Sequence, residues 1–500
     1  MSTRTALLVT ITAGATLLRL PGLFHALWYD EFLTVGAAQS FQDLPTKVLE
    51  HYHAPLFLVL LNLAMKITSS EPIWRTIPLV AGALSIPAIY FVGSTLANRR
   101  VGLGASALLA ISIFHIEQST ELRPYSFLVL FSILSVGFFW RALRTGRWRD
   151  WILLSFFSAG ALYTHYVSLF LTLSLVLVFL IFLWVGFPRE GATAGLHRPR
   201  VIHLVVAAGC MVLMYVPGLP SVWALAAHYF KTGVVGFAPT MNVGRPLDLE
   251  FLNKLAFEFS GRSLHALVLC VFMFGVGFVS WLLDRDRRAI LVGVTFAVPF
   301  AVLLVMRPER FLAPRYLIYL LPLFLVTVAH GVLVSWSRLW SRFSAKQPTG
   351  GAVAVVVSIF AVLTVAPGTQ LRAYAQAEDW EDVVSFVGEV SLPREAIYVH
   401  PGFKSPAMLR RYMDDELMKR TRLRGKLPYR NPNALFLGGA DKAWVICRQP
   451  NLTRKVGLAV STARAESCRV FHMVNARVTV CRFTTKELAA ELAERSRGKR

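Results

Sequence analysis

The sequence predicts an all-α polytopic membrane bundle of about eleven spans, with an interfacial helix on its outer side and a small C-terminal α/β domain. Three observations carry this. Apolar residues make up 55% of the 500 positions and charged residues only 16%, with a mean hydropathy of +0.53, whereas a soluble domain carries about 25% charge. The apolar residues fall in blocks long enough to cross a bilayer. Arginines recur in alternate loops between those blocks, as cytoplasmic loops require.

The formal net charge is +23, from 52 Lys and Arg against 29 Asp and Glu. No basic–aromatic motif accompanies it, so the charge belongs to topology and anionic lipid rather than to nucleic acid. Five cysteines in 500 residues exclude an extracellular disulfide scaffold.

The first apolar run, 5–24, follows a flank with one Arg and precedes no small-residue cleavage site, so it reads as a retained span with the N-terminus inside. Further spans read at 76–97, 101–118, 124–142, 151–165, 167–187, 201–219, 264–284, 289–306, 315–334 and 351–367. The stretch 151–187 is too long for one crossing and divides around Thr164-His165-Tyr166. Arg99 and Arg100, then Arg141 to Arg149, Arg189 to Arg200, Arg285 to Arg288, and Arg338 to Lys346 mark the cytoplasmic loops. Segments 25–75, 119–123, 220–263 and 307–314 then face outside, and so does the C-terminus. The apolar run 55–67 is too short to cross and reads as a helix lying on the outer surface.

After residue 367 the composition turns polar. Residues 1–367 read as the transmembrane domain and 368–500 as a soluble one. Short apolar runs at Ala396–Val399, Ala443–Cys447 and Val478–Cys481 alternate with helical patterns at Glu381–Val390 and Leu452–Ala465, which is an α/β pattern. If this domain is outside, one disulfide is open among Cys447, Cys468 and Cys481.

Four polar strips interrupt the apolar pattern, all on the side read as outer. Trp28-Tyr29-Asp30-Glu31-Phe32-Leu33-Thr34 places two adjacent carboxylates at the membrane boundary, where desolvation is costly without work or partners. A carboxylate in a dry cleft serves as a general base; the bland alternative is a solvated turn. His51-Tyr52-His53-Ala54-Pro55 offers groups that bind metal or phosphate, or simply aromatic anchors at headgroup depth. Glu117 to Tyr125 ends in Glu121-Leu122-Arg123-Pro124-Tyr125. There a charge pair can form, or a phosphate can bind a helix N-terminus; charges at a span end also snorkel. Arg307 to Tyr316 brings three arginines to the side that the charge rule leaves poor in them. Tyr163-Thr164-His165-Tyr166 adds a polar corner. Acid, His and Arg at the outer ends of several spans suit a lipid-phosphate substrate whose tail stays in the bilayer.

In order along the chain, these strips resemble membrane glycosyltransferases of the GT-C type, in the protein O-mannosyltransferase and lipid A aminoarabinose transferase superfamily (family 39-like). The residues that carry the resemblance are the Asp30-Glu31 pair after the first span, His53-Ala54-Pro55-Leu56, Glu71-Pro72-Ile73-Trp74-Arg75, Glu121 to Tyr125, Tyr163 to Tyr166 and Pro314-Arg315-Tyr316. The resemblance implies inverting transfer of a sugar from a polyprenyl-phosphate donor to a lipid, glycan or protein acceptor on the outer face of a bacterial inner membrane. It makes Asp30 the base and Glu31 its support. Arg123 and Arg315 become phosphate ligands, with His53, Tyr125 and Tyr316 beside them, and His51, Glu121 and His165 become substrate contacts. Asp30 and Arg315 should then converge on one pocket. Several relatives have Pro-Pro where this chain has Ala54-Pro55, which leaves the part of His53 open. No cofactor is implied; a divalent metal at His51, His53, Asp30 and Glu31 stays open, and no site is assigned. The competing classes are a lipid or sugar transporter and a glycan-binding scaffold. Against a transporter, the informative charges sit at span ends rather than at the midplane, and no internal repeat is visible.

Overall fold

The computed structural model describes residues 3–25, 27–39, 54–185, 197, 200–220, 223, 226–227, 247–306, 313–340, 380–390, 396–400, 422–424, 442–450, 465–472, 476–484 and 486–490. Two compact units emerge. One joins Met1–Leu23 to Thr34–Gly368; the other joins Phe24–Leu33 to Thr369–Arg500.

The helices are α1 (Thr3–Arg19), which tightens into a 3₁₀ turn at Leu20–Leu23, α2 (Tyr29–Ala38), α3 (Pro55–Ile67), α4 (Glu71–Leu96), α5 (Arg99–Ala110) and α6 (Ile113–Gln118). Next come α7 (Tyr125–Thr145), α8 (Trp148–Thr164), α9 (Ser168–Val185), α10 (Val201–Tyr215), α11 (Leu249–Phe259), α12 (Leu264–Leu283) and α13 (Arg287–Met306). A 3₁₀ segment, Pro314–Leu320, runs into α14 (Leu321–Trp340).

α9 shows why this bundle needs a lipid solvent. Leu171, Leu175, Val178, Phe179 and Phe182 are buried, while Leu169, Leu173, Leu177, Leu180 and Trp184 are exposed at helical spacing. A helix apolar on both faces is not a water-facing helix. Among the described residues, eight helical segments are long and apolar enough to cross a membrane. The expected count of eleven is not confirmed. The run 101–118 divides at Ile111-Ser112 into α5 and α6, of 12 and 6 residues. α8 has 17 residues, at the lower limit for a crossing, and 351–367 lies outside the described residues. The 13-residue α3 stays too short to cross.

Small residues allow the closest helix approach. A Cβ on Gly277 of α12 would strike the Thr327 carbonyl of α14, and one on Gly331 would strike the Met273 carbonyl of α12. Without a hydrophobic drive between helices in lipid, such backbone contact supplies the packing energy.

In the second unit, α15 (Trp380–Val390) accompanies a five-stranded sheet of β1 (Ala396–His400), β2 (Arg422–Arg424), β3 (Lys442–Pro450), β4 (Ser467–His472) and β5 (Ala476–Thr484). The strand order is β2-β1-β3-β5-β4. β1 pairs in parallel with β2 and β3, and β5 pairs antiparallel with β3 and β4. Val383, Val384 and Val387 of α15 are buried, as are Ile397, Trp444, Ile446, Val480 and Phe483 of the sheet. The strands expected at 396–399, 443–447 and 478–481 are present; the helix expected at 452–465 lies outside the described residues.

Register selects the disulfide. Cys468 and Cys481 stand directly opposite in the β4–β5 ladder and are bonded, with Cα atoms 4.1 Å apart. The bond ties edge strand β4 to the sheet across a separation of 13 residues, a loop whose closure is worth about 3 kcal/mol. Replacing both cysteines with serine should therefore lower the melting temperature of this unit. Thermal unfolding followed by circular dichroism checks it; an unchanged melting temperature removes the staple role.

Candidate functional site

The segment Ser119–Pro124 joins α6 to α7 and is built by its own backbone. The Glu117 carbonyl accepts from the N–H groups of Thr120 and Glu121 at 3.0 and 3.1 Å, and the Glu121 carbonyl accepts from Arg123 N–H at 2.6 Å. Arg75 of α4, fully buried, donates to the Thr120 carbonyl at 3.0 Å. The turn therefore presents Arg123 from a fixed position. Its guanidinium donates to Thr34 Oγ1 at 2.8 Å.

Around Arg123 the structure gathers residues from three other stretches of chain. α8 ends where α7 begins, so His165, the residue after α8, comes beside Tyr125. The rings of Tyr125 and His165 stack with centroids 5.7 Å apart. Tyr316, on the 3₁₀ segment, completes a triangle at 6.3 Å from Tyr125 and 5.6 Å from His165. Arg123 lies 5.7 Å from the Tyr125 centroid and Arg315 lies 5.9 Å from it. Arg315 is also 5.9 Å from the Tyr316 ring. The His165 ring is held by Val167, whose N–H donates to Nδ1 at 3.3 Å. Tyr125 is 0% exposed, and its hydroxyl has no hydrogen-bond partner among the described residues.

Five of the residues read from sequence, Arg123, Tyr125, His165, Arg315 and Tyr316, thus form one cluster. Glu121 is half-buried in the same turn. Asp30 and Glu31 belong to the other unit. There Glu31, fully buried, accepts from the backbone N–H of Trp28 at 3.2 Å. This is the reach-back half of a capping box at the start of α2. Asp30 is half-buried in the same first turn, where the helix dipole favours an anion. His51 and His53 lie outside the described residues, as do Arg307 and Arg310. Among the described residues, no three His, Cys, Asp or Glu side chains gather as a metal cage.

Sequence reasoning passed over the buried support. Arg19, at the end of α1, is 0% exposed. It donates to the carbonyls of Ala15 at 2.6 Å and Ala110 at 3.2 Å, and its other nitrogen lies 2.8 Å from His115 Nδ1. Its one signal is a lone charge at the end of an apolar run. Arg262, which binds Glu117 and Glu258, has no local signal at all.

The comparisons bear on this geometry. A family model described as dolichyl-phosphate-mannose-protein mannosyltransferase matches residues 52–190. No curated protein matches the chain in sequence. ArnT from Cupriavidus metallidurans, solved in the apo state, superposes with a TM-score of 0.57 over 96% of this chain and 98% of its own, at 12% identity. The oligosaccharyltransferase AglB from Archaeoglobus fulgidus, in complex with an inhibitory peptide and a dolichol-phosphate, gives 0.52 over 88% of this chain and 69% of its own, at 11% identity. The fold is that of the GT-C glycosyltransferases.

The Tyr125 hydroxyl, without a hydrogen-bond partner among the described residues, gives a test of the cluster that needs no substrate. A buried hydroxyl without a partner costs about 1–3 kcal/mol, so Tyr125→Phe should match or exceed the parent in melting temperature in detergent. A marked fall would mean that the hydroxyl is paired.

Proposed function

We propose that the protein is an inverting glycosyltransferase that moves a sugar from a polyprenyl-phosphate donor to an acceptor on the outer face of the membrane. The observation that carries this is the cluster of Arg123 and Arg315 on Tyr125, with His165 and Tyr316 closing the ring. Guanidinium groups stay charged and match phosphate oxygens with paired donors. Two cations drawn to one ring repel each other, and a phosphate between them offsets that repulsion.

Inversion follows from a single displacement. The acceptor hydroxyl or amine attacks the anomeric carbon from the face opposite the phosphate. The bond from that carbon to the phosphate oxygen breaks, and the electron pair leaves with the polyprenyl phosphate. Arg123 and Arg315 stabilise the charge that grows there, with hydrogen bonds from Tyr125 and Tyr316. Asp30 accepts the proton of the acceptor. Glu31 fixes the first turn of α2 by capping it and so holds Asp30. His51, Glu121 and His165 serve as substrate contacts, and His53 joins the donor-phosphate ligands. A phosphate leaves readily, so no strong general acid is required.

The membrane is a bacterial inner membrane in this reading, with the N-terminus cytoplasmic and the second unit outside. The Cys468–Cys481 bond supports that placement, because disulfides persist in oxidising compartments. A reporter fused after Arg500 should read extracytoplasmic; a cytoplasmic reading overturns the orientation.

The decisive assay supplies labelled polyprenyl-phosphate sugars to purified protein and follows transfer. Asp30→Asn should reduce turnover about 100- to 10,000-fold, the range of a lost general base, with unchanged folding. Arg315→Ala should cost about 100-fold or more through the leaving phosphate. Full transfer by both variants would refute the assignment.

A further inference from the structure

Outside the cluster, one charged constellation has no part in the proposed chemistry. α11 ends in a Schellman motif: Arg262 N–H bonds the Phe257 carbonyl at 2.9 Å and Gly261 N–H the Glu258 carbonyl at 3.4 Å. Gly261 takes the left-handed backbone this requires, with φ 82°. Arg262 is left-handed as well, at φ 58°, a conformation that an L side chain disfavours. Its side chain accounts for its presence there. The Arg262 guanidinium forms a two-pronged pair with the Glu117 carboxylate of α6, while its Nε donates to Glu258 of α11 at 2.7 Å. Burial works against the Arg262 charge, but Glu117 and Glu258 outweigh it and hold the guanidinium more firmly protonated than usual.

Glu117 is the first link of the turn that carries Arg123. Its carbonyl holds the Glu121 N–H, the Glu121 carbonyl holds the Arg123 N–H, and Arg123 reaches Thr34. We infer that Arg262 is a positioning residue: clasped to Glu117, it fixes the 117–123 turn and so sets where the Arg123 guanidinium meets the donor phosphate. This rests on the function proposed above, and it makes α11 a strut for the phosphate site rather than a passive surface helix.

Arg262→Gly tests the clasp, because glycine accepts the left-handed backbone without strain and the variant keeps a route to folding. Hydrogen exchange read by mass spectrometry should rise over residues 113–124 in Arg262→Gly and in Glu117→Gln, and stay at the parent level over 130–145. In the transfer assay each should lower kcat about tenfold or more with the donor KM within about threefold. The double variant should fall no further than the worse single, since both break one link. Unchanged exchange over 113–124, an unchanged kcat, or losses that multiply in the double variant would each overturn the inference. If the parent protein transfers no sugar, the proposed function fails, while the exchange comparison still decides whether the clasp holds the turn.

Discussion

A charge taken out of water into a bilayer has to meet a fixed partner, and the buried arginines of this bundle are organised by that demand. Arg19 is one fully buried case. By ending α5 at Ala110 and starting α6 at Ile113, the chain leaves carbonyls without helical partners in an apolar surrounding. Arg19 covers the Ala110 carbonyl, and Ser112 accepts from the His115 N–H at 3.4 Å to cap the new helix. A cation from α1 thus meets one of the carbonyls that the interruption exposes. The break lets α6 end at Gln118 and the turn that carries Glu121, Arg123 and Tyr125 lead into α7.

The arginines divide by what satisfies them. Arg19 and Arg75 are met by carbonyls and act as braces. At the other end of α4, Arg144 donates to the Thr95 carbonyl at 3.1 Å and Arg288 to that of Leu96 at 3.0 Å, closing the terminus of that helix as basic residues commonly do. Arg262 is met by two carboxylates. Arg123 and Arg315 both lie over the Tyr125 ring, and Arg123 also donates to Thr34 Oγ1.

The parts of this architecture that were legible in the sequence are those that repeat or stand together. Apolar blocks, the α3 surface run and the three strand cores each announce themselves over several neighbouring residues. Glu121 to Tyr125, His165 and Pro314 to Tyr316 also stood out as polar strips in apolar surroundings. The break at Ile111-Ser112 did not, because one serine scarcely alters the hydropathy of a window about 20 residues long. The Arg262–Glu117 pair was invisible for another reason: 145 residues separate its members, and pairing at that range is a property of packing. The disulfide needed register. Cys447 and Cys468 are equivalent in spacing arguments, and only the β4–β5 ladder singles out Cys468 and Cys481.

The adjacent carboxylates of α2 show how one fold separates two chemically similar groups. Successive residues on an α-helix point about 100° apart, so both cannot reach back to the preceding backbone. Glu31, third in the helix, has the length and position to take the Trp28 N–H. Asp30, second in the helix, is excluded from that bond by geometry and stays half-buried. A capped first turn does not fray, so Asp30 sits on a rigid support. The longer side chain thus takes the capping bond, and the shorter one shares the first turn that this bond fixes.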